Sequence, residues 1–425
     1  MEPSEVRLPP KGWRRLAIDL GPLRRHPAFR RLFVGQTIST FGSEISAVAA
    51  PFQLYELTHS TLQVGLLSLC ELVPLLTLTI VGGAIADAID RRRLLLWTEA
   101  LLAIVSAGLA LNASLEEPRV WLLYVLATLS MCIFSFGVAG MTTVIPRLVE
   151  PEELAAANAI ESVYSSTTSV GGPAIGGILI AAAGISGAFW IDAGTFAASL
   201  WSIWMLPKLP PAHDADRPSL RSIGEGFRFV VSKKVLLGMF LADSNAMVFG
   251  MPRALFPALA KKFGGGATVV GLLYAAPYAG ALLASLLSGW IGHVRRQGLV
   301  VAVAAGLWGV FIVAFGFADS LWLALLLLAG AGAADNVSAV MRQTILFSVT
   351  PDRMRGRVSG IEFAQVASTP ALGNLEAGVV ASLTSLRFSI VSGGILCVVG
   401  TLVIAALFPA FIRYDAKEAR DAAAA

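Results

Sequence analysis

Apolar residues run along this chain in blocks of roughly twenty, broken by short polar turns. A helix of about that length crosses the hydrocarbon core of a bilayer. The clearest pair of blocks flanks a charged turn: Leu62 to Ile80 carries one charge, Glu71, and Leu94 to Ala113 carries only Glu99. Hydropathy places twelve such spans. The first six lie at roughly 32–57, 62–86, 94–113, 119–144, 156–182 and 187–206. The second six lie at roughly 235–260, 268–291, 298–317, 320–346, 358–383 and 388–411. Between the sets runs the longest polar interval, Pro207 to Lys234, with Pro210-Pro211, His213-Asp214 and Lys233-Lys234. It is expected to link two bundles, with a short amphipathic helix around Ile223 to Val231. The expected organisation is a cytoplasmic arm (1–31), a six-helix bundle (32–206), a linker (207–234), a second bundle (235–411) and a tail (412–425).

Composition agrees with that pattern. The chain is 56% hydrophobic and 14% charged, with a mean hydropathy of +0.73, whereas soluble domains carry about 25% charged residues. It reads as an all-α integral membrane protein. The net charge of +4 is a matter of topology, not of nucleic-acid binding. The N-terminal arm, the 91–93 turn, Arg147, the linker, Arg295-Arg296, Arg353-Arg355-Arg357 and the tail hold 26 of the 32 lysines and arginines. The alternate loops hold Arg119, Lys261, Lys262 and Arg387, with Arg253 close by; Arg342 lies inside a span. Basic loops stay on the cytoplasmic side, so both termini and the linker are expected there, in a multi-pass protein of the inner (plasma) membrane. Met1 to Arg31 has no apolar core of a cleaved signal peptide. Cys70, Cys132 and Cys397 fall in apolar runs and suggest no disulfide framework. His26, His59, His213 and His293 are scattered through loops and tails, and no metal-ligand spacing, P-loop or Cys–His arrangement occurs. An enzyme, a cofactor and an ATP-driven pump are therefore not expected.

An internal repeat accompanies the six-span spacing. Val64-Gly65-Leu66-Leu67 recurs as Val270-Gly271-Leu272-Leu273, and Gly83 before one basic turn recurs as Gly289 before Arg295-Arg296, both at an offset of 206. Pro151 recurs as Pro351, and Ile160-Glu161 as Ile361-Glu362, at offsets of about 200. Two like-oriented halves of six spans are the plan of many secondary transporters, with substrate held between the halves near the midplane.

The 81–93 stretch joins spans two and three. Gly82 and Gly83 allow close helix approach, and Asp87 and Arg91 are four apart on one helical face. A basic turn alone is common to inner-membrane hairpins, but Gly83-x-x-x-Asp87-x-x-x-Arg91-Arg92 is more specific. It resembles the loop 2–3 signature of the major facilitator superfamily, G-x-L-A-D-R-x-G-R-R, departing at Ala88 and Asp90. Gly172-Pro173-Ala174-Ile175-Gly176-Gly177 resembles the antiporter signature of that superfamily's exporters. His26-Pro27-Ala28-Phe29-Arg30, Thr58 to Leu66, Gly226-Phe227-Arg228-Phe229, Pro257-Ala258-Leu259-Ala260 and Gly271 to Ala276 look like the enterobactin-exporter branch. Thr350 to Val358 is similar to a turn shared with related drug exporters.

The resemblance implies the major facilitator fold: twelve transmembrane helices in two pseudo-symmetric six-helix bundles. It implies a latch on the cytoplasmic side of the outward-open state, made by Gly83, Asp87, Arg91 and Arg92. It also implies efflux of a siderophore or drug-like molecule by alternating access, with protons as the counter-ion and the lipid bilayer as surroundings, by a monomer. Span four lacks the arginine that many proton-coupled drug exporters carry there. A nutrient importer is the alternative, and the glycine–proline pattern of span five argues against it.

Charges inside spans cost about 2.5–3.5 kcal/mol on insertion scales, so they normally face a cavity or a partner. Glu44, Glu71, Asp243 and Asp335 sit near the middles of spans one, two, seven and ten. Spans one, four, seven and ten line the cavity in the family fold, which favours Glu44, Asp243 and Asp335. Glu71 lies one turn before Pro74, where the backbone can bend. Burial favours the neutral form of a carboxylic acid, as a proton carrier requires. Glu71 or Asp243 therefore exchanges protons or meets a cationic part of the substrate, or else is a structural carboxylate held by hydrogen bonds. Arg342 and Asp335 share a helical face seven residues apart, about 10 Å along the axis, which predicts separate partners for the two. Asn336 and Gln343 add donors nearby. Glu99, Glu161 and Glu362 are expected to snorkel at span ends, and Asp192 to be structural. The aromatics Phe41, Phe52, Tyr55, Tyr164, Phe249, Phe256, Tyr274 and Tyr278 offer walls for an amphiphilic or catecholic ligand. The cavity candidates are Tyr55, Phe249, Tyr274, Arg342 and Asn336.

Overall fold

Lipid offers no partner to a backbone N–H or C=O, so each long apolar run must satisfy its own backbone as a helix. The computed structural model describes residues 19–141, 144–210, 220–289 and 294–416, and for 79–88, 139 and 220–223 the backbone alone. Helix α1 is Pro27–Thr58, α2 Thr61–Ala88, α3 Arg91–Ala113 and α4 Val120–Met141. The helical run Leu154–Trp204 is broken at Gly184, whose φ of 74° and ψ of 171° only glycine adopts readily. It therefore forms α5 (154–183) and α6 (185–204) around a tight reversal. Then follow α7 Lys234–Phe249, a 3-10 turn Arg253–Leu255 and a short helix Phe256–Lys262. The last five are α8 Ala267–Leu286, α9 Gln297–Gly316, α10 Leu321–Val349, α11 Asp352–Leu383 and α12 Leu386–Leu407. Among the described residues there is no strand.

Length and hydropathy alone select nine stretches among the described residues that can cross a membrane, one of them the α5–α6 pair. Helices α1 and α11, which carry Glu44 and Glu56, and Glu362 and Glu376, are too polar to be among them. With these two, and with the bent pair counted separately, the long helices among the described residues number twelve. Caps set several starts: Asp90 Oδ1 accepts from Arg93 N at 3.2 Å, and Ser385 Oγ from Phe388 N at 3.2 Å. The departure at Asp90 thus gives α3 a side-chain N-cap, which glycine cannot supply.

Helix α1 lies along the α5–α6 run, which also packs on α3, while α4 packs on α2 and α3. In the second half α10 packs on α8 and α9, α9 on α12, and α7 on α11 and α12. Two pairs cross between the halves: α2 on α11, and α5 on α8. Both crossings are made by glycines. A Cβ on Gly177 would stand 2.5 Å from the Ala267 carbonyl oxygen, and one on Gly271 would stand 2.3 Å from that of Pro173. A Cβ on Gly65 would stand 2.7 Å from the Asn374 carbonyl oxygen, and one on Gly378 would stand 2.6 Å from that of Thr61. The repeat in the sequence is thereby explained, since Gly65 and Gly271 occupy equivalent places at the two crossings.

These contacts lie toward the 59–60 and Gly184 turns, here called the loop side. The opposite face, which carries residues 19–26, 205–210, 220–234 and 412–416, is the terminal side. On the terminal side the helix Leu220–Ser232 lies against α11, with Arg357 Nη1 donating to Glu225 Oε2 at 2.5 Å and Val230 buried. The sequence placed a shorter helix there, at 223–231.

Candidate functional site

A cavity of about 560 Å³ lies between the halves, on the terminal side of the glycine seals. That size falls within the ordinary range for small-molecule sites. Helices α1 to α6 supply most of its wall, including Gln36, Glu44, Glu71, Glu99, Phe134 and Asp192. The second half contributes Arg253, Ala254, Tyr274, Tyr278 and Asn374.

Helix α5 packs into this wall through small residues. A Cβ on Gly172 would stand 2.4 Å from Glu44 Cβ, and one on Gly176 would stand 3.1 Å from Ile45 Cα. Gly172 and Gly176 thus admit α1, Gly177 admits α8, and Pro173 lines the cavity.

Glu99, expected at a span end, and Asp192, expected to be structural, both belong to the cavity wall. Glu99 does not snorkel: it is buried and accepts from Gln36 Nε2 at 3.1 Å and from Ser39 Oγ at 3.3 Å. Asp192 is 3% exposed, and its Oδ2 accepts from Ser46 Oγ at 2.5 Å and Ser106 Oγ at 2.7 Å. Its Oδ1 has no hydrogen-bond partner among the described residues. Hydroxyl and amide donors on α1, α3 and α6 make these positions tolerable for carboxylates, a cross-helix property invisible in any one span. A signal did exist: Gln36, Ser39, Thr40, Ser43, Glu44 and Ser46 crowd polar side chains into one stretch of α1.

In the second half the polar residues form a separate cluster. Arg342 on α10 pairs directly with Asp243 on α7, and its Nη2 also lies 3.7 Å from Asp335 Oδ1. The expectation of separate partners for Arg342 and Asp335 is therefore corrected. Helical side chains lean toward the N-terminus, and the arginine stem covers much of the rise of two turns. Gln365 Nε2 completes the cluster, donating to Asp243 Oδ2 at 3.0 Å and Ser244 Oγ at 2.9 Å. Asn336 Oδ1 accepts from Ser285 Oγ at 3.2 Å, while its Nδ2 has no partner among the described residues. Of the five cavity candidates, Tyr274 lines this cavity, while Arg342 and Asn336 stand apart from it. Tyr55 sits at the loop-side rim, 5.2 Å beneath Lys261 Nζ, which also pairs with Glu56 at 2.9 Å. Phe249 packs on the core of the second half because α7 ends there.

That ending exposes a residue that span counting missed. Helix α7 stops at Phe249, and Gly250-Met251-Pro252 leads into the turn that carries Arg253. The sequence treated 235–260 as continuous and Arg253 as loop-flanking. Pro252 with Gly250 was the available signal, because a broken helix at membrane depth marks binding sites in transporters. The freed backbone groups are re-satisfied: Trp308 Nε1 donates to Gly250 O at 3.0 Å, and Ala254 N to Asn374 Oδ1 at 3.2 Å. Trp308→Phe removes the first donor from a buried site and is expected to lower stability by about 1–2 kcal/mol, read as a lower melting temperature in detergent. An unchanged melting curve would mean that the break holds without it.

At the α2–α3 turn, only the backbone of Gly83 and Asp87 is among the described residues. Arg91 is buried, and its Nη1 donates to Pro210 O at 3.3 Å. Arg92 donates from Nε to Ile203 O at 3.2 Å and from Nη2 to Trp204 O. Both guanidiniums thus meet carbonyls at the end of α6 and just beyond it, where cations are favoured. Among the described residues no group of three or more His, Cys, Asp or Glu could hold a metal ion.

Two six-helix halves around a central cavity that carries buried charged residues, closed at one end by paired glycines, define a secondary transporter of the major facilitator fold. A solved bacterial homolog of the human lysosomal transporter Spinster, inward-facing and unoccupied, has this fold, with a TM-score of 0.70 at 15% identity over 91% of this chain and 98% of its own. A bacterial homologue of the iron transporter ferroportin, inward-facing, gives a TM-score of 0.66 at 17% identity over 91% and 99%. The sequence profile described as transmembrane secretion effector matches residues 17–423, and the chain belongs to that family. It is 33% identical to the enterobactin exporter EntS of Citrobacter koseri, over 91% of this chain and 93% of the relative. It is 32% identical to the enterobactin exporter EntS of Escherichia coli O81, over 92% and 94%. The protein is thus a multi-pass membrane transporter.

Proposed function

We propose that this transporter exports a medium-sized organic compound of the siderophore class by alternating access, exchanging it for protons. The observation that carries the reading is the cavity itself, closed on the loop side by Gly65·Gly378 and Gly177·Gly271 and lying on the terminal side of those contacts. The distribution of lysine and arginine makes the terminal side cytoplasmic, so the cavity takes cargo from the cytoplasm in this conformation. The resemblance to the two enterobactin exporters supports a siderophore as cargo. Residues 32–206 and 235–411 then tilt as units, with Asp87 and Arg91 of the α2–α3 turn latching the cytoplasmic side once the cavity faces outward.

Glu44 and Glu71 are the proposed proton carriers, because both line the cavity where cargo and water arrive. Asp243 is held by Arg342 and serves as a charge-balanced partner across α7 and α10. In everted vesicles energised by a proton gradient, enterobactin is expected to accumulate, and a protonophore to abolish the accumulation. Glu71→Gln and Glu44→Gln are each expected to slow proton-driven uptake about tenfold or more while leaving binding intact. Wild-type rates in both variants would remove the proton role from these residues, and accumulation that survives the protonophore would remove proton coupling.

A further inference from the structure

Charge in the cavity is divided between the halves. Glu44, Glu71, Glu99 and Asp192 line it from the first half, and among the described residues Arg253 is the single basic one of its lining. Four carboxyl groups can each shed their charge by taking a proton. A guanidinium cannot, so Arg253 is the fixed positive charge of the site.

Its surroundings hold it in place, and Glu44 and Asp335 are carboxylates within electrostatic reach of it. The guanidinium carbon lies 5.0 Å from the centroid of the Tyr278 ring, an arrangement favoured by the ring's negative face. The Tyr274 hydroxyl donates to the Arg253 carbonyl at 3.2 Å. Asn374 of α11 fixes the next residue, accepting from Ala254 N at 3.2 Å, while its Nδ2 donates to Ser68 Oγ of α2 at 3.1 Å. Arg253 is thus anchored beside the α2–α11 seal, where the halves touch. Among the described residues it makes no ion pair with a carboxylate, unlike Arg342, Arg357 and Arg387. A guanidinium inside a membrane protein normally meets an acceptor. Here the open side is the cavity.

We infer that Arg253 is the cargo anchor, and that it takes an aromatic ring bearing two adjacent oxygens, a catechol or an aryl carboxylate. The planar fork of a guanidinium matches two oxygens held side by side. Tyr274, Tyr278, Phe134 and Phe196 line the same cavity and give an aryl ring faces and edges to pack against. The anchor lies on a turn tied by Asn374 to both halves, so cargo on Arg253 bears directly on the contact that must open for release. The inference rests on the exporter reading, and deepens it by naming the group of the cargo that is recognised.

The test is binding to the purified full-length protein in detergent, followed by tryptophan fluorescence, for the wild type, Arg253→Lys and Arg253→Gln. The probes are catechol, salicylate, enterobactin, a hydroxamate siderophore without an aromatic ring, and ethidium. Arg253→Gln is expected to weaken binding of enterobactin and of at least one small aryl probe tenfold or more. Arg253→Lys should weaken it less, ethidium should bind as well as or better than before, and melting temperatures should stay within a few degrees of wild type. Weakening for catechol alone assigns a catechol edge, and for salicylate alone an aryl carboxylate; both support the anchor. Equal affinity of Arg253→Gln and wild type for every aryl probe would overturn it. So would an equal loss for all five probes, which marks a structural role. Vesicle uptake by the wild type is read separately: a chain that binds aryl probes through Arg253 but never accumulates enterobactin would fail the exporter reading and leave the anchor standing.

Discussion

Gly271→Leu and Gly177→Leu are each expected to cut export about tenfold or more while leaving the protein folded. The seal between α5 and α8 is backbone against backbone: a Cβ on Gly271 would meet the Pro173 carbonyl oxygen at 2.3 Å and the Gly177 Cα at 2.9 Å. Neither neighbour is the flexible end of a side chain, so the helices must part. Overpacking of this kind costs about 1–3 kcal/mol, and each 1.4 kcal/mol shifts an equilibrium tenfold. The penalty falls on the conformation sealed at the loop side and not on the other one. The variants should therefore accumulate with the loop side open, and cysteines placed near residues 59 and 184 should react faster with a membrane-impermeant reagent. Gly306→Leu is the control, because nothing lies within 4 Å of a Cβ built there. If Gly271→Leu exports and labels like Gly306→Leu, the glycine seal is not part of the transport cycle.

Asp243→Asn should be the most destabilising of the charge-neutralising changes, by about 3 kcal/mol. Asp243 is 5% exposed and paired to Arg342. Removing one member of a buried pair leaves the other uncompensated, at a cost of about 3–5 kcal/mol. Asp335 lies 3.7 Å from the same guanidinium and offsets part of the loss, which places the expectation at the low end. The readout is thermal unfolding in detergent. Asp243→Asn with Arg342→Gln should recover stability relative to Asp243→Asn alone, since the stranded charge goes with its partner. A single variant that melts like wild type would mean that the pair contributes little.

The sites differ in how far the sequence revealed them. Gly65 and Gly271 were legible as a repeat because duplication copies sequence, yet their meeting with Gly378 and Gly177 is a matter of which helices cross. Glu44 and Glu71 were legible because a charge in an apolar run is costly wherever the run packs. Glu99 was misread as a snorkelling residue and the place of Asp192 in the cavity wall was not foreseen, since their donors Gln36, Ser39, Ser46 and Ser106 lie on other helices. Arg253 was read only as lying close to a loop, because a hydropathy window averages across Gly250 and Pro252 and does not register the broken backbone.

Alone, the sequence indicated twelve spans, their class and a duplicated plan, because insertion into lipid depends on the local sum of side-chain transfer energies along each segment. The tertiary structure decided which polar groups face one cavity, which pair among themselves, and on which side the halves are closed. Those outcomes depend on the rotation and crossing of whole helices, and no single span encodes the neighbours it will meet.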